Sequence, residues 1–473
     1  MGQEIDSSHF KHKDFQRFHR CLQHETELLR QWFDEQRFAD EGLIGGFELE
    51  AWIVDAQGRP APVNERYLAL AQQQALPVVS ELASFNLELN SSPRPLQGNA
   101  LSAMYDELDA SWRRCDHVAQ ALDCRLMMIG ILPQVTEAQL ALCNMSQAKR
   151  YKALNEQVLR MRRGRPLQLD IAGRERLVTS HHDVMTEAAT TSFQLHLQVP
   201  PDQAARYYNL ARLVSAPMVA LTANSPFLFG RDLWDETRIP LFEQSVAVGG
   251  EAGAARVTFG DAYAQSSLFE CFQRNLDNYP VLLPSVMEEP PERLAHVRLH
   301  NGTIWRWNRP LIGFDTADRP HLRLEHRVVP AGPTVADAIA NAAFFFGVMA
   351  GLQRYESWDD SVDFATARRN FYAAARQGLD AQMTWRGLKT VGVSALLTDH
   401  LLPLARRGLV ALDIDHADID RFLGIVADRL RTGQNGTAWQ RAYVAKHGGD
   451  LRALTLAYLD LQSRGTPVHE WII

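Results

Sequence analysis

Four short segments of the chain alternate apolar and polar residues, and their polar positions carry acids, a histidine and arginines. These segments are residues 46–54, 86–90, 193–199 and 321–329. In an extended strand, residues two apart share a face. Glu48 therefore lies beside Glu50, and Gln194 beside His196, while their apolar neighbours face the other way. The pattern predicts a sheet with an apolar back and a front rich in carboxylates.

The polar face predicted for these strands would repel itself unless cations bound to it. Mg²⁺ prefers oxygen ligands and usually keeps phosphate oxygens in its shell. The acids therefore predict a site for divalent cations and phosphate, and Arg309 and Arg327 could meet the charge of a transferring phosphoryl group. The candidate metal ligands are Glu48, Glu50, Glu81, Glu88, His196 and Glu325.

Each part of this pattern also has a purely structural interpretation. Two acids on a strand are usually a solvent-facing polar row, and a histidine in an apolar strand is usually a hydrogen-bonded structural residue. The row formed by Arg323, Glu325 and Arg327 would equally suit an ion-pair stripe on the surface. Four such faces without a single lysine, taken together, favour the functional interpretation.

The length and composition are those of an ordinary globular protein with a large core. The chain has 473 residues, of which 46% are hydrophobic and 22% charged. We expect one large catalytic domain with helices before and after it. The predicted parts are an N-terminal helical segment (residues 1–40), a catalytic domain (41–355) and a helical C-terminal region packed on it (356–473).

Charge, cysteine content and hydropathy indicate which classes of partner and which cellular compartment to expect. The net charge of −7 argues against a nucleic-acid partner. The five cysteines show no metal-binding spacing and are expected to be free thiols in the cytoplasm. The longest apolar run, residues 342–352, falls short of the roughly 20 residues that span a bilayer, so no membrane partner is expected. A homo-oligomer is possible.

The order of the predicted elements favours an α+β fold with a mostly antiparallel sheet, because regular βαβ units are too few for a doubly wound fold. Residues 296–314 alternate like a strand, and no strand is predicted beyond residue 359. Helical periodicity covers residues 8–38, 98–122, 202–222 and about 359–465. Glycines indicate a mobile flap, and these are Gly249, Gly250, Gly253 and Gly260. Neither GxxxxGK[ST] nor GxGxxG occurs, so P-loop or Rossmann nucleotide binding is not supported.

The motifs around the acids resemble those of the type 2 glutamate-cysteine ligases, also called carboxylate-amine ligases. The resemblance extends from about residue 42 to residue 350, and the motifs agree in order and spacing. They are GFELE, the acid at 81, NLELN, FQLHLQV, LTANSPFLFG with the downstream Arg238, WNRP and LEHRVVP. Ser84 departs from several relatives, which have a further acid at that position.

The resemblance implies a glutamine synthetase-like fold, with a curved, mostly antiparallel sheet and helices on its outer face. It implies an enzyme that uses ATP and magnesium to activate the side-chain carboxylate of glutamate, or of a similar amino acid, as an acyl phosphate. An amine would then attack to form an amide, as in glutathione biosynthesis. The implied partners are small-molecule substrates.

The resemblance also implies roles for individual residues. Glu48 and Glu50 match the paired acids of the first strand, Glu50 being a candidate catalytic residue as well as a metal ligand. The expected catalytic arginines are Arg309 and Arg327. The expected nucleotide-binding residues are Gln194, His196 and Arg238.

Two other functions remain open from the sequence. Guanidino kinases share the broad fold and would yield a stable phosphorylated product instead of an amide. A nucleotide-binding regulatory protein could keep the site without turnover.

Overall fold

The computed structural model describes residues 5, 7–248, 255–357 and 362–473. Its helices are His12–Asp34 (α1), Asn64–Gln73 (α2), Ala100–Gln120 (α3), Lys149–Met161 (α4), Ala204–Thr222 (α5), Arg238–Ser245 (α6), Phe269–Asn278 (α7), Ala295–Gly302 (α8), Val335–Tyr355 (α9), Phe364–Gln377 (α10), Val393–Leu396 (α11), Leu402–Ala411 (α12), His416–Thr432 (α13), Gly436–His447 (α14) and Leu451–Arg464 (α15). Its strands are Ile44–Asp55 (β1), Val78–Ser80 (β2), Asn86–Asn90 (β3), Arg94–Pro95 (β4), Cys124–Met127 (β5), Leu167–Ala172 (β6), Arg176–His181 (β7), Phe193–Gln198 (β8), Phe227–Leu228 (β9), Arg231–Asp232 (β10), Val257–Thr258 (β11), Trp305–Arg306 (β12), Asn308–Phe314 (β13), Pro320–His326 (β14), Gln382–Trp385 (β15) and Leu388–Gly392 (β16).

An eight-stranded sheet forms the centre of the molecule, in the order β13-β14-β8-β1-β3-β2, with β4 and β5 also paired to β1. Every pairing within it is antiparallel. The sheet curls, and helices pack against it, so the predicted α+β class with a curved antiparallel sheet is confirmed. The four alternating segments of the sequence supply β1, β3, β8 and β14.

The apolar side chains of these strands form the back of the sheet, as the alternation predicts. Leu49, Leu195, Leu197, Leu322 and Leu324 are all buried. Helices α5 and α9 cover this side, contacting β8, β13 and β14. Burial of each of these leucines stabilises the fold by roughly 1.5–3 kcal/mol. Because the leucines fix one face of each strand against the helices, the polar side chains of all these strands lie on the opposite side of the sheet.

Helix α9 runs through the core of the molecule. Thr334 caps it by accepting a hydrogen bond from the backbone N–H of Asp337. Among the described residues α9 is the one helix long and apolar enough to cross a membrane, and its most apolar stretch is entirely buried inside the protein. Such burial is typical of a core helix that is hydrophobic all round.

Two predictions of secondary structure are wrong. The C-terminal region is helical as predicted, but the expectation of no strand beyond residue 359 is wrong. Strands β15 and β16 form a hairpin whose turn is Arg386 and Gly387, with φ +66° at the glycine. Residues 295–302 form helix α8 instead of continuing the alternating strand, which begins only at Trp305. Of the glycines in the predicted flap, Gly249, Gly250 and Gly253 lie outside the described residues.

Helix α8 begins where it does because a distant acid caps it. The Glu25 side chain, from α1, accepts hydrogen bonds from the backbone N–H of His296 (2.8 Å) and of Val297 (3.0 Å). It also contacts Nδ1 of the His296 ring at 2.5 Å. These bonds satisfy N–H groups that a helix start leaves without partners. The partner lies 271 residues away in sequence, so local periodicity cannot reveal it.

Candidate metal and phosphate site

Strand register brings the acids of β1 and β3 together on the front of the sheet. Glu50 lies opposite Glu88, and Glu48 lies opposite Gln194 of β8. Glu81 follows β2 directly and joins the same face. Directly opposed residues of an antiparallel pair have Cβ atoms about 4.5–5.5 Å apart, so the register alone places like charges within contact distance.

Glu48, His196 and Glu325 form the first group of potential metal ligands, which we call cluster A. One donor atom from each residue lies within 4.8 Å of the others. His196 Nε2 is 3.4 Å from a Glu48 oxygen and 4.0 Å from a Glu325 oxygen. That nitrogen is buried and has no hydrogen-bond partner among the described residues. A buried polar atom without a partner is rare, and a cation among these three donors would account for it.

Glu50, Glu81 and Glu88 form the second group, cluster B, with donor oxygens again within 4.8 Å of one another. All three side chains are buried, and Glu81 Oε1 has no hydrogen-bond partner in the described part of the chain. Three buried carboxylates cannot all ionise without a compensating charge. The donor set of cluster B fits Mg²⁺, which takes oxygen ligands.

The two clusters differ in charge state. Burial and the charge of Glu88 raise the pKa of Glu50 to about 7. Burial and the same neighbour raise the pKa of Glu81 well above its usual range. Burial opposes ionisation of Glu48 too, but the neighbouring His196 outweighs it and lowers the pKa of Glu48 to about 2. Cluster A therefore holds ionised acids at neutral pH, whereas cluster B takes up protons in the absence of a cation.

Two arginines bind Glu325, the acid of cluster A that lies on β14. Arg309 donates to both oxygens of Glu325, from Nε at 2.8 Å and from Nη2 at 3.0 Å. Arg327 donates to the same carboxylate at 3.0 Å. These two arginines outweigh burial and lower the pKa of Glu325 below its usual range. Glu325 and Arg327 are 2% and 4% exposed, so the alternative of a surface ion-pair stripe is wrong.

Hydrogen bonds link the two clusters through Gln194. The Gln194 amide donates to Glu50 at 2.8 Å, and its oxygen accepts a hydrogen bond from Arg327. The backbone N–H of Ser192 donates to the other Glu50 oxygen at 2.7 Å. Both polar atoms of Gln194 are therefore engaged by the protein, and its expected role in nucleotide binding stays a prediction.

Arg238 and Ser84, both singled out in the sequence, are bound to other parts of the protein. The guanidinium of Arg238 pairs with Glu236 at 3.1 Å and donates to the backbone carbonyls of Arg327 and Val328. It supports the strand end that carries Arg327, and nucleotide binding by Arg238 likewise stays a prediction. The Ser84 hydroxyl donates to the Asn144 carbonyl at 2.9 Å.

A cavity of about 350 Å³ opens beside cluster A. Charged side chains contribute to its lining, and these are Glu48, Glu325, Arg150, Arg298, Arg309 and Arg323. Apolar side chains also line it, and these are Leu154, Phe272, Leu283, Leu299, Leu311 and Ile312. Cavities that combine an apolar wall with a few convergent charges are typical of small-molecule sites.

One acid of the site was missed by the sequence analysis. Glu187 lies in a 3-10 turn, Met185–Ala189, just before β8. Burial and the nearby Glu50 raise its pKa to about 8, while Arg327 acts in the opposite direction. No alternation surrounds it, so strand periodicity offered no signal for it.

Comparisons with solved structures show which proteins share this fold. The chain resembles, at 13% identity and a TM-score of 0.52, a glutamate-cysteine ligase from Francisella tularensis solved in complex with AMP, with 92% of this chain and 90% of that one covered. It resembles at 11% identity, also with a TM-score of 0.52, a bifunctional glutathione synthetase from Pasteurella multocida, covering 92% of this chain and 54% of that one. At such identities the likeness establishes the fold alone. A sequence comparison with curated proteins gave no match.

The assignment to a family comes from a match of the sequence to a family model. Residues 44–457 match the sequence model of glutamate-cysteine ligase family 2, a span that includes every candidate metal ligand and the whole central sheet. The chain therefore belongs to glutamate-cysteine ligase family 2, a family of carboxylate-amine ligases.

Proposed function

We propose that this protein is an ATP- and Mg²⁺-dependent ligase that joins the side-chain carboxylate of glutamate, or of a similar amino acid, to an amine. The observation that carries the proposal is the pair of acidic clusters on one sheet face, with Glu48 and Glu50 of β1 contributing one to each. Family membership and the AMP-bound structure of a glutamate-cysteine ligase with the same fold support the choice of chemistry and of nucleotide.

The acids of both clusters would hold the magnesium ions. Glu48, His196 and Glu325 would do so beside the cavity, and cluster B would do so further along β1. Bound Mg²⁺ would supply positive charge to the phosphate oxygens of ATP and to the reacting carboxylate. The protonated state of cluster B in the absence of a cation fits this role, because cation binding releases those protons.

The proposed reaction has two steps. A carboxylate oxygen of the substrate attacks the γ-phosphorus of ATP, the bond to the β-phosphate oxygen breaks, and ADP leaves. The amine nitrogen then attacks the acyl carbon, and inorganic phosphate leaves with the electrons of the carbon–oxygen bond. The proton of the amine passes to solvent.

The residues of the chain would serve this reaction mainly by placing charge. Arg309 and Arg327 fix Glu325 in one orientation and set two positive charges beside it. Such preorganised charge favours the transition state of phosphoryl transfer, in which negative charge spreads over the equatorial oxygens. Gln194 would keep Glu50 and Arg327 at a constant separation.

The experiment that tests the proposal measures ADP release with a panel of carboxylates, each with and without a panel of amines, and detects amide products by mass. A ligase releases ADP steadily only when both substrates are present. A guanidino kinase would need one acceptor and yield a phosphorylated product, and a regulatory protein would release no ADP. Either of these two results would refute the proposal.

Variants connect any activity to the site. Glu48→Gln and Glu325→Gln should abolish metal-dependent ADP release, because each removes a charged ligand from cluster A. Glu27→Gln is the matched control, since Glu27 is an exposed glutamate of α1 that pairs with Arg30 within the same helix. Full metal-dependent turnover in both cluster A variants would show that the site is assigned to the wrong residues.

A further inference from the structure

The arginines that line the cavity beside cluster A are not equivalent. Arg309 donates hydrogen bonds to both oxygens of Glu325, and its Nη1 donates to the Gly302 carbonyl oxygen at 3.1 Å. Arg150 donates to the Ser80 carbonyl and to the Tyr151 hydroxyl. Arg323 forms no hydrogen bond or ion pair with any described residue, and its Nε is buried.

Arg323 is half-buried, and its buried Nε atom, which has no hydrogen-bond partner among the described residues, needs a physical explanation. Arg323 lies on β14, two residues before Glu325, and therefore points to the front of the sheet. Burial lowers its pKa, and the charges of Arg298 and Arg309 act in the same direction. Glu48 and Glu325 attract it without reaching hydrogen-bond distance. Buried charges are normally paired or bound to a ligand.

The balance of charge in the cavity indicates the sign and the size of that ligand. Four arginines and two glutamates line the cavity. Once a divalent cation binds in cluster A, it neutralises the two glutamates, and the arginines remain as uncompensated positive charge. An anion with several negative charges fits such a site, and guanidinium groups bind phosphate oxygens with favourable geometry.

We propose that Arg323 binds the phosphate chain of the nucleotide, which lies in this cavity with its base toward the apolar wall. This assignment rests on the proposed function for the identity of the nucleotide. It is distinct from the role expected of Arg309 and Arg327, which is to meet the charge of the transferring phosphoryl group. In the structure the donors of these two arginines bind Glu325. Arg323 is then a phosphate-binding residue, and Arg309 is a positioning residue that acts through Glu325.

The test uses binding, so it does not depend on turnover. The affinities of MgADP, of inorganic tripolyphosphate and of adenosine are measured by calorimetry for the full chain and for Arg323→Gln. We expect tripolyphosphate and MgADP to bind about 10- to 100-fold more weakly to the variant, as for the loss of a charge-assisted hydrogen bond. Adenosine should bind equally to both proteins. Arg323→Lys should recover part of the loss, because it keeps the charge but not the planar fork.

Arg319→Gln is the matched control. It lies on the same hairpin but is exposed and already paired with Asp315 and Glu41. Its affinities for all three ligands should equal those of the unaltered protein. Without ligand, Arg323→Gln should be at least as stable as the unaltered protein, since it removes a half-buried charge that has no partner among the described residues. A clear loss of stability would mean that Arg323 has a structural role and would overturn the assignment.

The outcomes separate this proposal from the proposed function. Arg323-dependent binding of tripolyphosphate in a protein that forms no amide would refute the ligase proposal and support the phosphate site. Amide formation by Arg323→Gln with an unchanged KM for ATP would support the ligase proposal and refute the phosphate site at Arg323. Failure of the unaltered protein to bind either phosphate compound would also overturn the assignment.

Discussion

The Gln194 side chain donates a 2.8 Å hydrogen bond to Glu50 and, through its contact with Arg327, ties the two acidic clusters together. Gln194→Leu would leave a carboxylate oxygen and a guanidinium donor buried without partners. We expect this substitution to lower the free energy of unfolding by about 1–3 kcal/mol for each unpaired group and to reduce kcat more than it raises KM. Urea denaturation and steady-state kinetics would check this.

Gln168→Leu is the control for that experiment, because Gln168 is an exposed strand residue whose amide bonds the Ser180 hydroxyl. It should stay within about 0.5 kcal/mol of the unaltered protein. Equal effects of the two substitutions would mean that the buried link between the clusters is unimportant.

The raised pKa of Glu50 predicts a pH dependence of stability in the metal-free protein. Folding raises this pKa to about 7, from about 4.3 in the unfolded chain. Between these values the folded state holds a proton that the unfolded state releases, so the Glu50 contribution to stability falls as pH rises through this interval. The effect is about 1.4 kcal/mol for each pKa unit.

The measurement compares the free energy of unfolding of the unaltered protein and of Glu50→Gln in a chelator, at a series of pH values. The difference between the two proteins should shift in favour of Glu50→Gln as pH rises and level off above pH 7. A difference that stays constant, or shifts in the opposite direction, would show that Glu50 is not protonated in the folded protein.

Substitution of Glu81 distinguishes an effect on magnesium binding from an effect on the stability of the metal-free protein. Burial and Glu88 keep this carboxyl neutral in the metal-free protein, so a neutral glutamine should replace it at little cost. Glu81→Gln should therefore match the unaltered protein in metal-free stability, or exceed it, but lose the stabilisation that Mg²⁺ provides. That stabilisation is about 2.7 kcal/mol at a magnesium concentration 100 times the Kd.

Thermal unfolding with and without MgCl₂, at constant ionic strength, would test this prediction, and Glu27→Gln again serves as the exposed control. An equal magnesium-dependent rise in Tm for Glu81→Gln and the unaltered protein would exclude Glu81 as a ligand.

Glu25 should matter for stability and for the cavity, although it lies before the segment that matches the family. Glu25→Ala leaves two backbone N–H groups of α8 and the His296 ring without their partner. We expect a loss of about 3–5 kcal/mol, as for breaking a buried charged pair. Because α8 carries Arg298 and Leu299 of the cavity wall, the Kd of MgADP should rise as well.

Denaturant unfolding and nucleotide titration would measure the two effects. Glu27 lies on the same helix but is exposed. Glu27→Ala should therefore change the free energy of unfolding, and the free energy of MgADP binding, by no more than about 0.5 kcal/mol. An unchanged Kd in a folded Glu25→Ala protein would show that α1 does not shape the cavity.

Alternation in the sequence predicted the four strands β1, β3, β8 and β14 of the central sheet, since it reports directly which side chains share a face of a strand. It identified Glu48, Glu50, His196 and Glu325, and the structure brings all of them to one surface. It failed for residues 295–302, where a long-range cap makes a helix of an alternating segment. It also missed the β15–β16 hairpin, whose strands are only four and five residues long.

The sequence by itself determined which residues point away from the core, because the period of a strand is a local property of the backbone. Only the tertiary structure decided which of them meet. The register between β1, β3, β8 and β14 sorted the acids into two clusters, bound Arg309 to Glu325 and left Arg323 without a partner. Such pairings join residues that are distant along the chain, and the packing of the whole sheet selects them, so no short segment encodes them.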